Sequence, residues 1–451
     1  MSDDWNGAGK KRILSGVPGE DFTVEDVRGS FPDEIEIQTL GRPADAEIRV
    51  PGSKSVTNRA LVVAALAEGA STIRNALFSE DSYWLMDALV RLGFEVRADT
   101  GTVGVRGGGG SIPVADVELS VGNAGTAARF LPPVLALGVG PYRVDGVPRM
   151  RERPVSDLVD AMRELGAAVD YAGEDGRFPL ILRGGGLPGG EATVEVSKSS
   201  QFLSGLLMAA PAAEKPVALD LSGDLVSSPY VGITTGVMRE FGVQVSESPR
   251  RYLVQPAAYR AQDYLVEPDA SAASYFFAAA ALTGGRVAVP GLGENCSQGD
   301  LRFVEVLESM GCAVEVGTDA TEVRGPCRLR GVEADMNEIS DTFMTLAAIA
   351  PFAATPTTIT GIAHTRHQET DRVSAVATEL RRLGVEVEEQ EDSLRIIPTS
   401  EPGPARIRTY GDHRMAMAFS LAGLVVEGVT ILDPACVTKT FPEYFEHLGS
   451  L

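Results

Sequence analysis

The sequence predicts an α/β chain built of α+β repeats, six copies of one unit arranged as two globular domains of three. Three observations lead there. First, an apolar helical pattern ends on leucine, methionine or phenylalanine followed by glycine at Gly93, Gly166, Gly242, Gly311, Gly384 and Gly449. The steps between these glycines are 73, 76, 69, 73 and 65 residues, longer than the roughly 20–50 of a solenoid repeat. Second, apolar residues before the glycines fall at helical spacing, as in Leu85, Leu89 and Leu92 or Val376, Leu380 and Leu383, and a glycine then caps the helix. Third, an alternating stretch such as Phe94-Glu95-Val96 or Val385-Glu386-Val387 follows most caps and reads as a half-buried strand.

A unit of roughly 70 residues has too little apolar surface to stand alone, so the copies must share cores. A length of 451 residues suits two or three domains, and 44% hydrophobic with 23% charged residues is the composition of a folded soluble chain. The longest apolar runs, near Phe202–Ala213 and Tyr275–Leu282, fall short of the roughly 18–20 residues that span a bilayer. No apolar core follows Lys10, Lys11 and Arg12, so no secretory signal is expected and the protein is read as cytoplasmic. Cys296, Cys312, Cys327 and Cys436 form no CxxC pair, and His364, His367, His413 and His447 form no ligand pattern, so neither a metal nor a disulfide is expected. A net charge of −22 disfavours nucleic acid, whose binders carry a basic stripe.

Against that acidity, several cations stand at loop-to-helix transitions beside Gly, Ser, Thr or Asp: Lys54, Arg59, Arg149, Arg372, Arg414 and Lys439. A helix N-terminus offers unpaired N–H groups, and an arginine fork beside it holds phosphate or carboxylate through two parallel bonds. In PGSKSVTNR, Pro51 to Arg59, Ser53 or Ser55 caps a helix flanked by Lys54 and Arg59. GNAGTAARF, Gly122 to Phe130, sets Asn123, Gly125 and Thr126 at a helix entry where the backbone can approach a ligand. KSSQF, Lys198 to Phe202, lines hydroxyls and an amide ahead of an apolar helix. Gly107–Gly110 and Gly184–Gly186 read as turns.

The ordered motifs PGSKSVTNRA, GNAGTAARF, PRMRERP, SSQFL, DLVSSPY, PDASAASYF, DTFMT, QETDR, GDHRMAM and KTFPEYF resemble the 5-enolpyruvylshikimate-3-phosphate synthase family of enolpyruvyl transferases. The resemblance runs from about Glu34 to the C-terminus. It implies an inside-out α/β barrel in each of two domains: residues 53–267 as one, and residues 1–52 with 268–451 as the other, residues 1–32 being an N-terminal extension. It also implies a reaction without a cofactor, between phosphoenolpyruvate and the 5-hydroxyl of shikimate 3-phosphate, in the cleft of a monomer. No nucleic acid or membrane takes part.

By resemblance, shikimate 3-phosphate would meet Lys54, Ser55, Arg59, Ser199, Ser200, Gln201, Ser227, Tyr230, Asp341, His364 and Gln368. Phosphoenolpyruvate would meet Lys54, Asn123, Gly125, Thr126, Arg149, Gln201, Arg372, Arg414 and Lys439. Asp341 would take the hydroxyl proton, Glu369 would serve C3, Lys54 would assist, and His413 would stand in the catalytic group. A carboxyl among so many cations has its pKa lowered unless desolvation or a hydrogen bond opposes them, so Glu369 is poised between competing effects. Read alone, Glu369 and Asp371 are a helix-start pair, with Arg372 in a surface salt bridge.

Three departures stand out. Gln368 occupies a position where many members carry lysine, which removes a cation; His364 replaces a common asparagine; Phe130 replaces a common proline. Glyphosate, which in this family takes the phosphoenolpyruvate site, is expected to inhibit. The alternatives are the sister transferase for UDP-N-acetylglucosamine, disfavoured because Asp145–Pro154 holds no cysteine, and a catalytically silent anion-binding paralogue.

Overall fold

The computed structural model describes residues 23–99, 101–399 and 401–451; the charged start of the N-terminal extension, with Lys10, Lys11 and Arg12, lies outside them. Among the described residues there are six sheets, five of four strands and one of three. Each four-stranded sheet repeats one pattern, a parallel pair flanked by an antiparallel pair, and in three of the five the parallel strands are joined directly through a helix. Thus Val117–Ser120 pairs in parallel with Tyr142–Asp145, which pairs antiparallel with Leu180–Leu182, which pairs antiparallel with Val169–Tyr171.

Five of the six glycine stops work as the helical pattern predicts. Gly93, Gly166, Gly242, Gly311 and Gly384 all take positive φ, between 82° and 106°, and a strand follows each within a few residues. Gly449 is the exception: its φ is −69°, and the chain ends two residues later without another strand. Gly107 and Gly108, read as part of a turn, close the strand Thr102–Gly108 instead. A Cβ on Gly107 would lie 2.1 Å from the Ala67 carbonyl oxygen, so the glycine there lets two backbones meet.

Several of the helices between strands are apolar nearly all round, the mark of burial on every side. Every residue of the helix Gly125–Ala136 is buried, as is every residue of His413–Gly423, and Lys54–Leu66 is buried from Val56 onward. Helices inside and sheets outside give the layering. The buried apolar residues form two clusters: one gathers residues from Val56 to Val266, the other residues from Ile37 to Val50 and from Ala270 to Leu451.

The chain passes between the clusters twice, side by side. Ser53 N donates to Glu267 O at 2.9 Å, Asp269 N donates to Pro51 O at 2.8 Å, and Gly52 bridges Pro268 antiparallel. Strands early in the chain complete sheets made much later: Glu34–Glu36 pairs with Val429–Leu432, and Asp45–Glu47 with Arg286–Pro290. The described end of the N-terminal extension departs from its expected placement. Val27, in the short helix Val24–Arg28, is buried with the first cluster, and Arg28 pairs with Glu80 at 2.8 Å, whereas Phe31 packs on the second. An apolar side chain on each side of the segment ties it to both cores rather than to one.

Candidate active site

The N-termini of the buried helices converge where the clusters meet. Ser53 caps the helix Lys54–Leu66, its hydroxyl accepting from Val56 N at 3.4 Å, which settles the choice between Ser53 and Ser55. Ser199 caps Ser200–Ala209, and Asp412 caps His413–Gly423. Their first turns, with Gly125 and Thr126 at the head of another buried helix, face a cleft enclosing about 930 Å³, solvent-filled mouth included.

One wall of this cleft is hydroxyl-rich. Ser55, Ser199, Ser200, Gln201, Ser227 and Tyr230 line it. Arg59 lies beneath, 1% exposed, and is held by Thr234 Oγ1 at 2.6 Å, Ser55 O at 2.8 Å and Tyr230 O at 3.1 Å. Burial brings its pKa down to about 10, so it remains a cation. Its guanidinium also stacks 5.1 Å from the centre of the Phe130 ring. Phe130 therefore acts through Arg59, and the helix of Gly125 and Thr126 runs on undisturbed through it.

The other wall holds the charges. Arg372, also 1% exposed, donates to Asp412 at 2.8 Å, to Asp341 at 3.2 Å and to Glu369 at 2.9 Å. A solvated surface salt bridge is thereby ruled out for it. Arg414 donates to Asp341 at 2.6 Å. Lys439 lies 3.1 Å from Glu369 and 3.5 Å from Asp81, and Lys54 also lies 3.5 Å from Asp81. Asp371 stays outside this group, capping its helix and pairing with Arg366.

Contacts between the two sides close the cleft. Lys439 Nζ donates to Asn123 O at 2.7 Å. Arg149 donates to Glu369 O at 3.1 Å and to Gln368 O at 2.9 Å. Tyr230 Oη lies 3.0 Å from Asp341 Oδ2, and Ser227 lies 3.2 Å from Ser340. Asn123, Arg149 and Lys439 thus seal one end without lining the main cavity.

His413 departs from the expected catalytic group. Its ring is wholly buried and does not line the cleft; Nδ1 is 3.5 Å from Asp412 Oδ1, and neither ring nitrogen has a hydrogen-bond partner. Burial, reinforced by Arg414 and Lys54, holds its pKa well below the usual histidine range, so it is neutral. His364 does reach the site, with Nε2 2.9 Å from Ser340 Oγ, and burial keeps it neutral as well.

The structure also answers how Gln368 replaces a lysine. Its amide oxygen accepts from Arg372 Nη1 in a close contact. A lysine ammonium has no acceptor to offer that arginine. The amide therefore anchors a cation instead of adding one.

Competition at the carboxyls resolves in favour of charge. Burial pushes Glu369 up, but Lys439, Arg372 and Arg153 together hold it well below the usual carboxylate range. Burial likewise opposes ionisation of Asp341, and Arg414, Arg372 and Lys54 overcome it, bringing the pKa down to about 2.

Sequence reading missed Asp81, Arg129, Arg153 and Ser340 in the cleft and Asp300 just behind it. Asp300 sits 3% exposed against Tyr230 Oη at 2.9 Å, and burial followed by the nearby Asp341 charge raises it to about 7. An unfolded aspartate titrates near pH 4, so the folded state gains from Asp300 below that pH and loses the gain as pH rises through about 7. Asp300→Asn, which stays neutral, is expected to melt about 2–4 °C above the parent at pH 8, with the difference shrinking toward pH 5. Thermal melts across that range check it. A difference that does not vary with pH would assign the effect to altered hydrogen bonding.

Similarity to known proteins agrees with this site. A family model described as EPSP synthase (3-phosphoshikimate 1-carboxyvinyltransferase) matches residues 39–448. The 3-phosphoshikimate 1-carboxyvinyltransferase of Nostoc punctiforme is 50% identical over 420 residues, covering 92% of this chain and 98% of the relative. That of Serratia proteamaculans is 49% identical over 426 residues, covering 93% and 99%. Among solved structures, EPSP synthase from Acinetobacter baumannii superposes with a TM-score of 0.76 at 27% identity, covering 92% of this chain and 97% of that one. The enolpyruvyl transferase NikO from Streptomyces tendae, at 20% identity and a TM-score of 0.75, shares the fold. With six α/β units around buried helices, a cleft of paired cations and carboxylates, and a family match over nearly its whole length, the chain belongs to the EPSP synthase family.

Proposed function

We propose that this chain transfers the enolpyruvyl group of phosphoenolpyruvate to the 5-hydroxyl of shikimate 3-phosphate and releases inorganic phosphate. Beyond family membership, one observation carries the reading. Arg372 and Arg414 both bind Asp341, while Arg372 and Lys439 both bind Glu369, in a cleft whose opposite wall is built of hydroxyls. Two carboxylates for proton transfer, held among cations for a polyanionic donor and facing donors for a polyol, match that pair of substrates. The division into residues 53–267 and the remainder follows the two apolar clusters and the paired crossings at Gly52 and Pro268.

Chemically, the 5-oxygen bonds to C2 of the donor while C3 gains a proton, giving a tetrahedral ketal. C3 then loses a proton as the C2–O bond to phosphate breaks. Asp341 takes the hydroxyl proton, Glu369 gives and retrieves the C3 proton, and Lys54 balances charge beside Asp81. Neither carboxylate is poised for this while it serves as counter-ion to the cations that would hold substrate. Incoming phosphate and carboxylate groups take over those cations, and both carboxyls rise in pKa as they are released. Substrate binding thereby activates its own acid and base.

Among the described residues no helix is long and apolar enough to cross a membrane. A cytoplasmic monomer is the setting that fits small, highly charged substrates taken up in a single-chain cleft. The test is phosphate release by the purified chain from phosphoenolpyruvate with shikimate 3-phosphate, run in parallel with UDP-N-acetylglucosamine. Turnover with the first acceptor only is the expected outcome. Turnover with the second, or with neither, would overturn the reading.

A further inference from the structure

Arg153 is 6% exposed, yet its Nε and Nη1 have no hydrogen-bond partner, and among the described residues no carboxylate forms an ion pair with it. A buried unpaired guanidinium is costly, and a fold keeps one only where something outside the chain completes it. It lines the cleft beside Gly125, Thr126 and Pro154. The contact with Gly125 is so close that a Cβ there would lie 2.9 Å from Arg153 Nη2 and 3.3 Å from Nη1. Glycine at this helix entry is therefore what leaves the guanidinium its place.

A second cation adds to the imbalance. Arg129, 3% exposed, donates only to Met150 Sδ at 3.1 Å and to Pro154 O at 3.2 Å, and has no ion pair among the described residues. Two guanidinium charges thus adjoin one corner of the cleft with no carboxylate in ion-pair contact among the described residues. Arg149, Arg372 and Lys439 have their charges met by Glu152, Asp341, Glu369 or Asp81. The corner lies toward Glu369, whose charge acts on Arg153.

We propose that Arg153 is a further anion-binding residue of this reaction, taking the phosphoryl group of phosphoenolpyruvate and then the inorganic phosphate it becomes, with Arg129 behind it supplying a second charge. A phosphoryl dianion matches two unpaired guanidiniums, and a planar fork suits its oxygens. Gly125 serves this site by clearing room for the fork.

The proposal rests on the transfer reaction inferred above, and the tests separate the two: failure of that reading leaves the parent enzyme without turnover, whereas failure of this proposal leaves the parent active. The experiment compares the parent with Arg153→Met and Arg153→Lys in the full-length chain. Arg153→Met, which removes a buried unpaired charge, is expected to melt no lower than the parent without ligand and to lose the stabilisation that inorganic phosphate confers. Its KM for phosphoenolpyruvate should rise roughly tenfold to hundredfold, the loss of a charge-assisted bond or more, while KM for shikimate 3-phosphate stays within about threefold. Arg153→Lys should recover part of the phosphate effect, since it returns the charge without the fork. An unchanged phosphate-induced shift together with an unchanged KM for phosphoenolpyruvate would overturn the proposal. So would a lower melting temperature accompanied by equal rises in both KM values, the signature of a structural arginine.

Discussion

Asp341→Asn is expected to lower turnover by about 10²–10⁴-fold, the usual worth of a positioned general base, while the chain stays folded. The amide matches the carboxylate in shape but cannot take a proton from the 5-hydroxyl. Its position multiplies the effect. Asp341 accepts from Tyr230 Oη, Arg372 Nη1 and Arg414 Nη2, and an amide has one oxygen to share among three donors. Arg414 would then lose its carboxylate while 4% exposed, and both arginines would be freer to hold anions. The variant should therefore bind phosphoenolpyruvate as tightly as the parent, or more so, while failing to turn it over. Single-turnover phosphate release with saturating substrates separates these effects. Residual turnover within tenfold of the parent would reduce Asp341 to a positioning residue.

The second large effect concerns Glu369. Its carboxyl is ionised, because Lys439 and Arg372 outweigh burial. Binding the phosphate and carboxylate of phosphoenolpyruvate at those cations removes that support, so the Glu369 pKa must rise and a proton must be taken up. Calorimetry near pH 6 in two buffers of different ionisation enthalpy should show net proton uptake on binding, greater than the phosphoryl group alone accounts for. Glu369→Gln should abolish the excess and reduce turnover by about 10²–10³-fold, within the range for a general acid. If the variant takes up as many protons as the parent, the proton enters elsewhere and the assignment fails.

Repetition was what sequence could read best. The glycine stops are local events, set by a residue able to take positive φ, and five of the six behave alike. Gly449, at φ −69°, does not. The cations at helix entries were also legible, since Lys54 and Arg372 begin helices and Arg414 is the second residue of another. Pairing across distance was not. Asp81 lies in an ordinary-looking first turn, and only the fold brings it to Lys54 and Lys439. Arg153 sits in the charged run Pro148–Pro154, where nothing local distinguishes it from the solvated Arg151 beside it. His413 misled for the complementary reason: its neighbour Arg414 enters the cleft, but the histidine ring does not.

The early strands have a consequence for how the chain is made. Asp45 meets Arg286 across 241 positions, and Glu34 meets Arg406 across 372. At roughly 5–20 residues per second on the ribosome, the strand Asp45–Glu47 waits roughly ten to fifty seconds for its partner, and Glu34–Glu36 waits longer. Meanwhile residues 53–267 emerge with a nearly complete apolar cluster of their own. Synthesis therefore favours an order in which the middle of the chain folds first and its beginning last, with two open strand edges in need of protection until the C-terminal half arrives.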